Sequence, residues 1–172
     1  MANIFLYESK YGSTEKYAQW IGEELNCKVK RISEVSIEEL EGYENIIFGG
    51  WVHAGKLEGF KTFLNSVDKF KDKNLFVFTC GLSATEDKSY VDYKEKNFKE
   101  FNNLKDFYFR GAFDFNKLDF MDKVMMSIFK VLLKMKKSES TVEISKSYDK
   151  PIDFTNRENI KGIVREVKSL GM

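Results

Sequence analysis

The loop after the first apolar segment of the chain is rich in hydroxyl groups. Residues 9–14 read Ser-Lys-Tyr-Gly-Ser-Thr and stand between the apolar run 4–7 and a helical pattern that starts near Thr14. Four hydroxyls, a glycine that permits a tight turn and the unpaired amides of a helix N-terminus together form a cradle for phosphate. We therefore expect a phosphate group here, with an ordinary hydroxyl-rich helix cap as the alternative.

Two common nucleotide-binding patterns are absent from the sequence. A dinucleotide site needs GxGxxG at this turn, and an NTPase needs GxxxxGK[ST]. Residues 9–14 contain one glycine, and neither pattern occurs elsewhere in the chain. The expected phosphate therefore belongs to a different class of ligand.

The elements that must position this loop alternate between strands and helices. Short, dense apolar runs at 4–7, 46–48 and 75–79 are typical of strands buried on both faces. The predicted elements are strands at 3–8, 27–32, 44–50, 74–80 and 106–113, and helices at 13–25, 57–66, 90–103 and 157–170. This order predicts a doubly wound, Rossmann-like α/β fold, whose parallel sheet binds its ligand at the carboxyl ends of the strands.

Composition limits the class of protein. Of the 172 residues 42% are hydrophobic and 15% are aromatic, which excludes a fibrous or disordered chain and predicts one domain over 1–172. A net charge of +1 gives no electrostatic reason for a nucleic-acid partner. Cys27 and Cys80 are too few for a zinc site or a disulfide framework, and they fit a reducing cytoplasm. No apolar run reaches the roughly 18 residues of a membrane span, so we expect at most a peripheral membrane contact.

The motif at 9–14 resembles the FMN phosphate loop of flavodoxins, [ST]-x-[TY]-G-x-[TS]. GGWVHAG at 49–55 is similar in position and small-residue content to the second flavodoxin loop, and Cys-Gly-Leu-Ser-Ala at 80–84 to the third. The resemblance implies a five-stranded sheet of order 2-1-3-4-5 and noncovalently bound FMN, with the flavin ring between the second and third loops. The cofactor-binding residues that it implies are Ser9, Lys10, Tyr11, Gly12, Ser13, Thr14, Gly49, Gly50, Trp51, Val52, His53, Ala54, Gly55, Cys80, Gly81, Leu82, Ser83 and Ala84.

Four of these side chains have an alternative role. Trp51 can stack on the flavin, which would contribute about 0.5–1.5 kcal/mol beyond area burial, or it can pack in the core. His53, the only histidine, can place a donor or a positive charge near the flavin, or stay solvated. Lys10 can screen the phosphate or remain a solvated lysine. Cys80 ends a buried strand, where small apolar thiols are common, and is assigned no chemistry.

Residues 114–156 do not fit the alternation of strands and helices, and they are predicted to form a helical insertion between the fifth strand and the last helix. Residues 118–137 are predicted to form an amphipathic helix with a wide apolar surface. Its central stripe consists of Leu118, Met121, Met125, Ile128, Leu132 and Met135. Five lysines against two aspartates give this helix a charge of +3, which with the apolar surface suggests a membrane surface, an apolar substrate or a protein partner. The alternative is burial against the sheet or in a homodimer.

The insertion resembles that of the flavodoxin-type protoporphyrinogen oxidases. The similarity lies in a basic, methionine-rich helix after Arg-Gly-Ala at 110–112, followed by a polar loop and Asp-Phe-Thr at 153–155. Those FMN enzymes associate with membranes and pass electrons to quinone. The resemblance implies an oxidoreductase at the inner membrane face, with a large, apolar, porphyrinogen-like reductant on helix 118–137. His53 and Ala54 stand where that family tends to have a basic residue and a tyrosine, so substrate recognition would differ.

Two other functions compete with the oxidoreductase. One is a flavodoxin-type electron carrier, which serves redox partner proteins and has no substrate of its own. The other is a flavin-binding domain that acts by partner contact. Charge favours the oxidoreductase, because carriers of low potential usually surround the flavin with carboxylates, whereas this chain has a net charge of +1. Beyond His53 no catalytic acid or base is predicted, and no metal site is predicted.

Overall fold

The structure is a computed structural model. It describes residues 2–53, 55–60, 73–83, 93, 98, 104–135 and 148–170, with the exception of the side chains of 132–135. Most of the predicted helix at 90–103 and the larger part of the predicted helix at 57–66 lie outside the described residues. The same holds for 136–147, which make up most of the polar segment of the insertion.

Five parallel strands form the central sheet. They are β1 (Asn3–Tyr7), β2 (Lys28–Arg31), β3 (Asn45–His53), β5 (Asn74–Gly81) and β6 (Lys105–Arg110). A short strand, β4 (Lys56–Leu57), pairs antiparallel with the end of β3. The order in the sheet is β2-β1-β3-β5-β6, which confirms the predicted order 2-1-3-4-5, because the fourth and fifth predicted strands are β5 and β6.

Helices follow the strands. Four α-helices are described: α1 (Ser13–Leu25), α2 (Ile37–Leu40), α3 (Phe120–Met135) and α4 (Lys161–Ser169). The short α2 is capped by Ser36, whose Oγ accepts a hydrogen bond from the Glu39 amide at 3.3 Å. The insertion helix α3 and the last helix α4 confirm their predictions, although residues 157–160 form a 3₁₀ turn before α4. None of the helices within the described ranges is long and apolar enough to cross a membrane.

The two faces of the sheet carry separate parts of the hydrophobic core. Phe5 on β1 belongs to the cluster that contains α1 and α4, whereas its neighbour Leu6 belongs to the cluster that contains α2. Both side chains are fully buried. Because successive side chains of a strand point to opposite faces, a strand covered on both faces must be apolar at every position. This requirement explains the continuous apolar runs in the sequence.

Leu57 was predicted to open a helix but lies in β4, and this prediction was wrong. Gly55 and Gly59 adopt left-handed φ angles of 76° and 78°. These angles favour glycine and turn the chain back onto β3 as a hairpin. As a result β3 continues to His53, beyond the predicted end at Gly50.

The predicted strand at 106–113 is interrupted at Gly111. A Cβ on Gly111 would lie 2.8 Å from the Cys80 sulfur, so only glycine allows the chain to pass here. The Ala112 amide then donates to Ser13 Oγ at 2.9 Å and not to the sheet. Residues Ala112–Phe113 form β7, which pairs antiparallel with β8 (Ile152–Asp153) outside the main sheet.

Candidate functional site

A cavity of about 530 Å³ lies at the carboxyl ends of β1, β3 and β5. The last residues of β3 and β5 and the loops after the three strands line it, and α3 lines the side away from the sheet. Its volume is typical of small-molecule sites, which span roughly 300–1,000 Å³. An open parallel sheet offers this position to a ligand, because the loops diverge where the winding direction switches.

The first loop turns tightly at Gly12, directly before α1. Gly12 has a φ of 91°, which favours glycine, and its amide donates to Ser9 Oγ at 3.2 Å. The amides of Ser13, Thr14 and Glu15 occupy the first turn of α1 and have no acceptor within the helix. Since Ser13 and Thr14 line the cavity, the helix N-terminus provides hydrogen-bond donors and a positive dipole to an anion there.

The predicted second loop, whose residues 49–53 form the end of β3, places aromatic rings beside the cavity. Trp51 stacks on His53 with ring centroids 5.1 Å apart and 24° between the planes. Tyr11 of the first loop meets Trp51 edge-on at 6.4 Å. The Trp51 carbonyl accepts a hydrogen bond of 3.0 Å from the Glu58 amide across the hairpin, which holds the backbone at this point. The second loop is therefore a defined wall of stacked rings.

The third loop is held from the side of β6. Arg110 Nε donates to the Leu82 carbonyl at 3.1 Å, and the Gly111 amide donates to the Gly81 carbonyl at 2.8 Å. A Cβ on Gly81 would lie 2.3 Å from the hydroxyl of Tyr108, so the loop needs glycine for its close approach to β6. Tyr108 and Gly81 both line the cavity.

Cys80 lies at the base of the cavity as a buried, neutral thiol. Burial raises its pKa to about 12, although a hydrogen bond with Thr14 acts in the opposite direction. A thiol with this pKa is protonated at neutral pH and is a poor nucleophile. Cys80 therefore presents a neutral, weakly polar group to the cavity.

Helix α3 closes the remaining side of the cavity with one of its faces. That face consists of Leu118 just before the helix, Asp122, Met125, Met126 and Phe129. The opposite face is open to solvent, with Phe120 exposed by 77% and Met121 by 71%. The predicted stripe therefore does not form one buried face, because Met121 is exposed and Ile128, at the cavity rim, is 61% exposed.

Asp122 is the polar centre of the inward face of α3. Its Oδ2 accepts hydrogen bonds from Lys10 Nζ at 2.9 Å and from the Tyr11 hydroxyl at 2.5 Å. Its Oδ1 lies 3.7 Å from His53 Nε2. Asp119, which is half exposed, also pairs with Lys10 at 2.6 Å. One buried carboxylate on α3 thus contacts both the first and the second loop.

These contacts shift pKa values in the directions that preserve them. Burial raises the pKa of Asp122, but hydrogen bonds from Tyr11 and Lys10 outweigh burial and leave the pKa below its usual value. Hydrogen bonds to Asp119 and Asp122 raise the pKa of Lys10. Burial and the bond to Asp122 raise the pKa of Tyr11. At neutral pH the lysine and the carboxylates are therefore charged, and the phenol keeps the proton that it donates.

The three loops around one cavity agree with a comparison against known protein families. A family model described as a flavodoxin domain matches residues 4–143. The chain belongs to the flavodoxin domain family. The predicted resemblance to flavodoxins is thereby confirmed at the level of the family.

Relatives of this flavodoxin domain include one curated protein and several solved structures. An uncharacterized protein of Methanocaldococcus jannaschii is 30% identical over 98 residues, which are 56% of this chain and 65% of that protein, less than two thirds of its length. Oxidised flavodoxin 2 from Bacillus cereus is 22% identical with a TM-score of 0.49, and the match covers 64% of this chain and 84% of that one. A flavoprotein in complex with FMN from Lactobacillus acidophilus is 18% identical with a TM-score of 0.44, covering 63% and 91%. Because these TM-scores are below 0.5, the family assignment depends on the family model.

Most of the residues predicted to bind the cofactor line the cavity of this flavodoxin domain. They are Ser9, Lys10, Tyr11, Ser13, Thr14, Trp51, Val52, His53, Gly55, Cys80, Gly81, Leu82 and Ser83. Gly49 and Gly50 do not line it. They lie in β3 against other side chains: a Cβ on Gly49 would lie 2.4 Å from the Phe78 ring, and one on Gly50 would lie 2.6 Å from Leu57. These two glycines allow close packing within the sheet. Gly12 shapes the first loop, and Ala54 and Ala84 lie outside the described residues.

Sequence reasoning gave Asp122 no role in the site. A signal for it exists, because Asp122 follows Leu118 by one helical turn and precedes Met125 by another, so a carboxylate interrupts an apolar face. A buried carboxylate needs partners, and its presence on that face indicates a polar contact. The partners themselves could not be identified from the helix, since Lys10 is 112 positions away.

Proposed function

We propose that this flavodoxin domain binds FMN noncovalently and acts as a redox protein. The observation that carries the proposal is one cavity with a helix N-terminus at the first loop and stacked aromatic rings at the second. FMN needs both features in one pocket, because its phosphate is an anion and its ring is flat and largely apolar. The expectation of FMN also agrees with membership of the flavodoxin domain family.

The phosphate would be held by the first loop. The hydroxyls of Ser9, Ser13 and Thr14 and the first-turn amides of α1 provide donors at the cavity. Lys10 already pairs with Asp119 and Asp122, so two carboxylates balance its charge. We therefore assign phosphate binding to the hydroxyls and amides, with Lys10 as a neighbour and not a direct ligand.

The flavin ring would lie between the second and third loops. FMN supplies hydride or single-electron transfer when bound. The task of the protein is then to orient the ring, to exclude water from it and to set the charge around it. Trp51 and His53 border the cavity on one side, Gly81 and Leu82 on the other, and Met125 of α3 covers it with an apolar side chain.

Within this function we favour an oxidoreductase that resembles the protoporphyrinogen oxidases, with an electron carrier as the second candidate. Its support is the apolar wall that Met125, Met126 and Phe129 add beside the proposed ring site. A large, apolar, porphyrinogen-like reductant would rest on this wall, and a quinone would accept the electrons. A carrier that serves partner proteins needs no such wall.

The outward face of α3, away from the cavity, is an exposed apolar surface. Phe120, Met121 and Val131 are exposed there, and Lys123 and Lys130 flank them. We assign this face to a peripheral contact with the inner face of the cytoplasmic membrane, with a homodimer as the competing outcome. Sedimentation with anionic vesicles would support the membrane contact, whereas a dimer in size-exclusion chromatography without vesicle binding would contradict it.

The visible spectrum of the purified protein tests FMN binding. We expect the absorption bands of oxidised flavin, either as purified or after incubation with FMN and removal of the excess. Release of the pigment by heat or acid and its identification by mass would distinguish FMN from FAD or riboflavin. A protein that carries no flavin before or after reconstitution would overturn the proposal.

Anaerobic addition of protoporphyrinogen tests the oxidoreductase. We expect the flavin to bleach as porphyrin absorbance appears. A Met125→Ala, Phe129→Ala double variant should lose this reaction while dithionite still reduces its flavin, and Phe120→Ala on the outward face is the matched control. A wild-type flavin that dithionite reduces but protoporphyrinogen does not would favour the electron carrier.

A further inference from the structure

Asp122 stands out as a buried charge on an otherwise apolar surface. It is 5% exposed, and the other cavity-lining residues of its face are Leu118, Met125, Met126 and Phe129. Two of its partners, Lys10 and Tyr11, belong to the loop after β1, and the third, His53 at 3.7 Å, is the last residue of β3. Asp119, the cap residue directly before α3, also pairs with Lys10, but within the described part of α3 itself only Asp122 forms an ion pair with the first loop.

We propose that Asp122 is a positioning residue, which anchors α3 across the cavity and holds Lys10, Tyr11 and His53 at the cavity rim. For its cofactor readout the inference rests on the proposed binding of FMN. The anchor itself is a property of the protein without ligand and can be measured in its absence.

The physical basis is the contrast between apolar contacts and a charged hydrogen bond. Met125, Met126 and Phe129 can slide or rotate over an apolar surface at little cost, because such contacts have no direction. A buried carboxylate must keep its donors, since the desolvated charge is costly without them. The bonds to Lys10 and Tyr11 therefore select one register of α3 over the others.

The start of α3 supports the same geometry. Asp119 caps the helix, because its Oδ1 accepts from the Asp122 amide at 2.8 Å and its carbonyl accepts from the Lys123 amide at 2.9 Å. Asp122 is thereby placed in the first turn, where the helix dipole favours a negative charge. The carboxylate is held by the start of its own helix as well as by the two loops.

The matched pair Asp122→Asn and Asp119→Asn tests the proposal. Both variants remove one negative charge that pairs with Lys10, but Asn at 119 keeps the helix cap and the contacts of Asp122. We expect Asp122→Asn to release FMN at least tenfold faster than wild type, measured by stopped-flow fluorescence, and Asp119→Asn to stay within twofold. Tyr11→Phe, which removes one donor and leaves Asp122 paired with Lys10, should give a smaller acceleration of about threefold.

Two readouts without FMN separate this inference from the proposed function. His53 is the only histidine, so its imidazole resonances can be identified without assignment, and they should move in Asp122→Asn but not in Asp119→Asn. Trypsin should also cut at Lys123 and Lys130 faster in Asp122→Asn. Failure of wild type to bind FMN would overturn the proposed function alone, whereas unchanged histidine resonances and cleavage rates would overturn the anchor. If Asp122→Asn does not fold, the histidine resonances and the trypsin cleavage rates are measured in Tyr11→Phe. Changes in both support the anchor, and no change in either overturns it.

Discussion

The hydroxyl of Tyr11 and the carboxylate of Asp122 are 2.5 Å apart, although 111 positions of sequence separate them. Tyr11 belongs to the loop proposed to hold a phosphate, and Asp122 belongs to the helix that closes the cavity. Lys10 donates to the same carboxylate, so the first loop and α3 are joined by one hydrogen-bonded cluster of three side chains. A displacement of α3 must therefore disturb the first loop, and a displacement of the first loop must disturb α3.

Replacement of Gly12 by Val should abolish retention of FMN. The φ of 91° at this position is strained for a β-branched residue, so the loop would leave the conformation that aligns the first-turn amides. A Cβ at Gly12 meets no atom within 4 Å, so the effect would come from the backbone and not from a clash. Equilibrium dialysis with FMN measures it, and Gly42→Ala, in a turn away from the cavity, is the control. Full FMN binding by Gly12→Val would show that the first loop does not hold the phosphate.

Replacement of Trp51 by Ala should weaken FMN binding by more than the roughly 2- to 12-fold that corresponds to about 0.5–1.5 kcal/mol of stacking energy, because the substitution also removes buried apolar area. The loss would be larger if His53, which stacks on Trp51, also changes position. A fluorescence titration of FMN into the apoprotein measures the dissociation constant. Trp51→Phe should recover most of the affinity. An unchanged constant for Trp51→Ala would place the flavin away from the second loop.

The free energy of unfolding that Asp122 contributes should decrease as the pH falls below about 4. Its folded pKa lies below the unfolded value of 3.8, so the contribution is complete above about pH 4 and is lost as the pH falls through the folded pKa. The folded pKa of Lys10 lies above 10.5, so the charge of this partner is lost only at strongly alkaline pH. We expect Asp122→Asn to cost about 2 kcal/mol between pH 5 and 9. Urea unfolding of both proteins should show this difference shrinking below pH 4, and a decrease already between pH 7 and 5 would contradict the pairing.

Both cysteines should resist thiol reagents in the folded protein. Burial raises the pKa of Cys27 to about 11 and that of Cys80 to about 12, so thiolate is scarce at pH 8 for either residue. With a chromogenic disulfide reagent we expect slow reaction of the native protein and rapid reaction of two thiols after unfolding. Rapid labelling of Cys80 in the native protein would mean that the base of the cavity opens to solvent.

The central part of the fold was predictable because its signals are local. In β1 the run from Ile4 to Tyr7 is apolar, α1 carries an apolar stripe, and the first loop lies directly between them. Residues 9–14 could therefore be recognised as the loop at the N-terminus of α1 from a short stretch of sequence. The carboxyl ends of parallel strands bring the other two loops to the same place without any further information.

The structural features that the sequence did not predict depend on contacts between distant segments of the chain. The β3–β4 hairpin needs two left-handed glycines, which apolar periodicity does not reveal. The interruption at Gly111 results from the close approach of Cys80, a residue of another strand. Helix α3 has apolar residues on both its inward and outward faces, so its pattern alone could not indicate which face covers the cavity.

The antiparallel pair of β7 and β8 has a consequence for the evolution of such a chain. Ala112 faces Asp153 and Phe113 faces Ile152, so the polypeptide leaves the common scaffold and rejoins it at adjacent points. The described part of the chain between these two strands, which includes α3, is a side branch that occupies no position in the register of the main sheet. Replacement of this branch in evolution would change the α3 side of the cavity, together with the contacts of Asp122 to Lys10 and Tyr11, while the order and register of the main sheet stay the same.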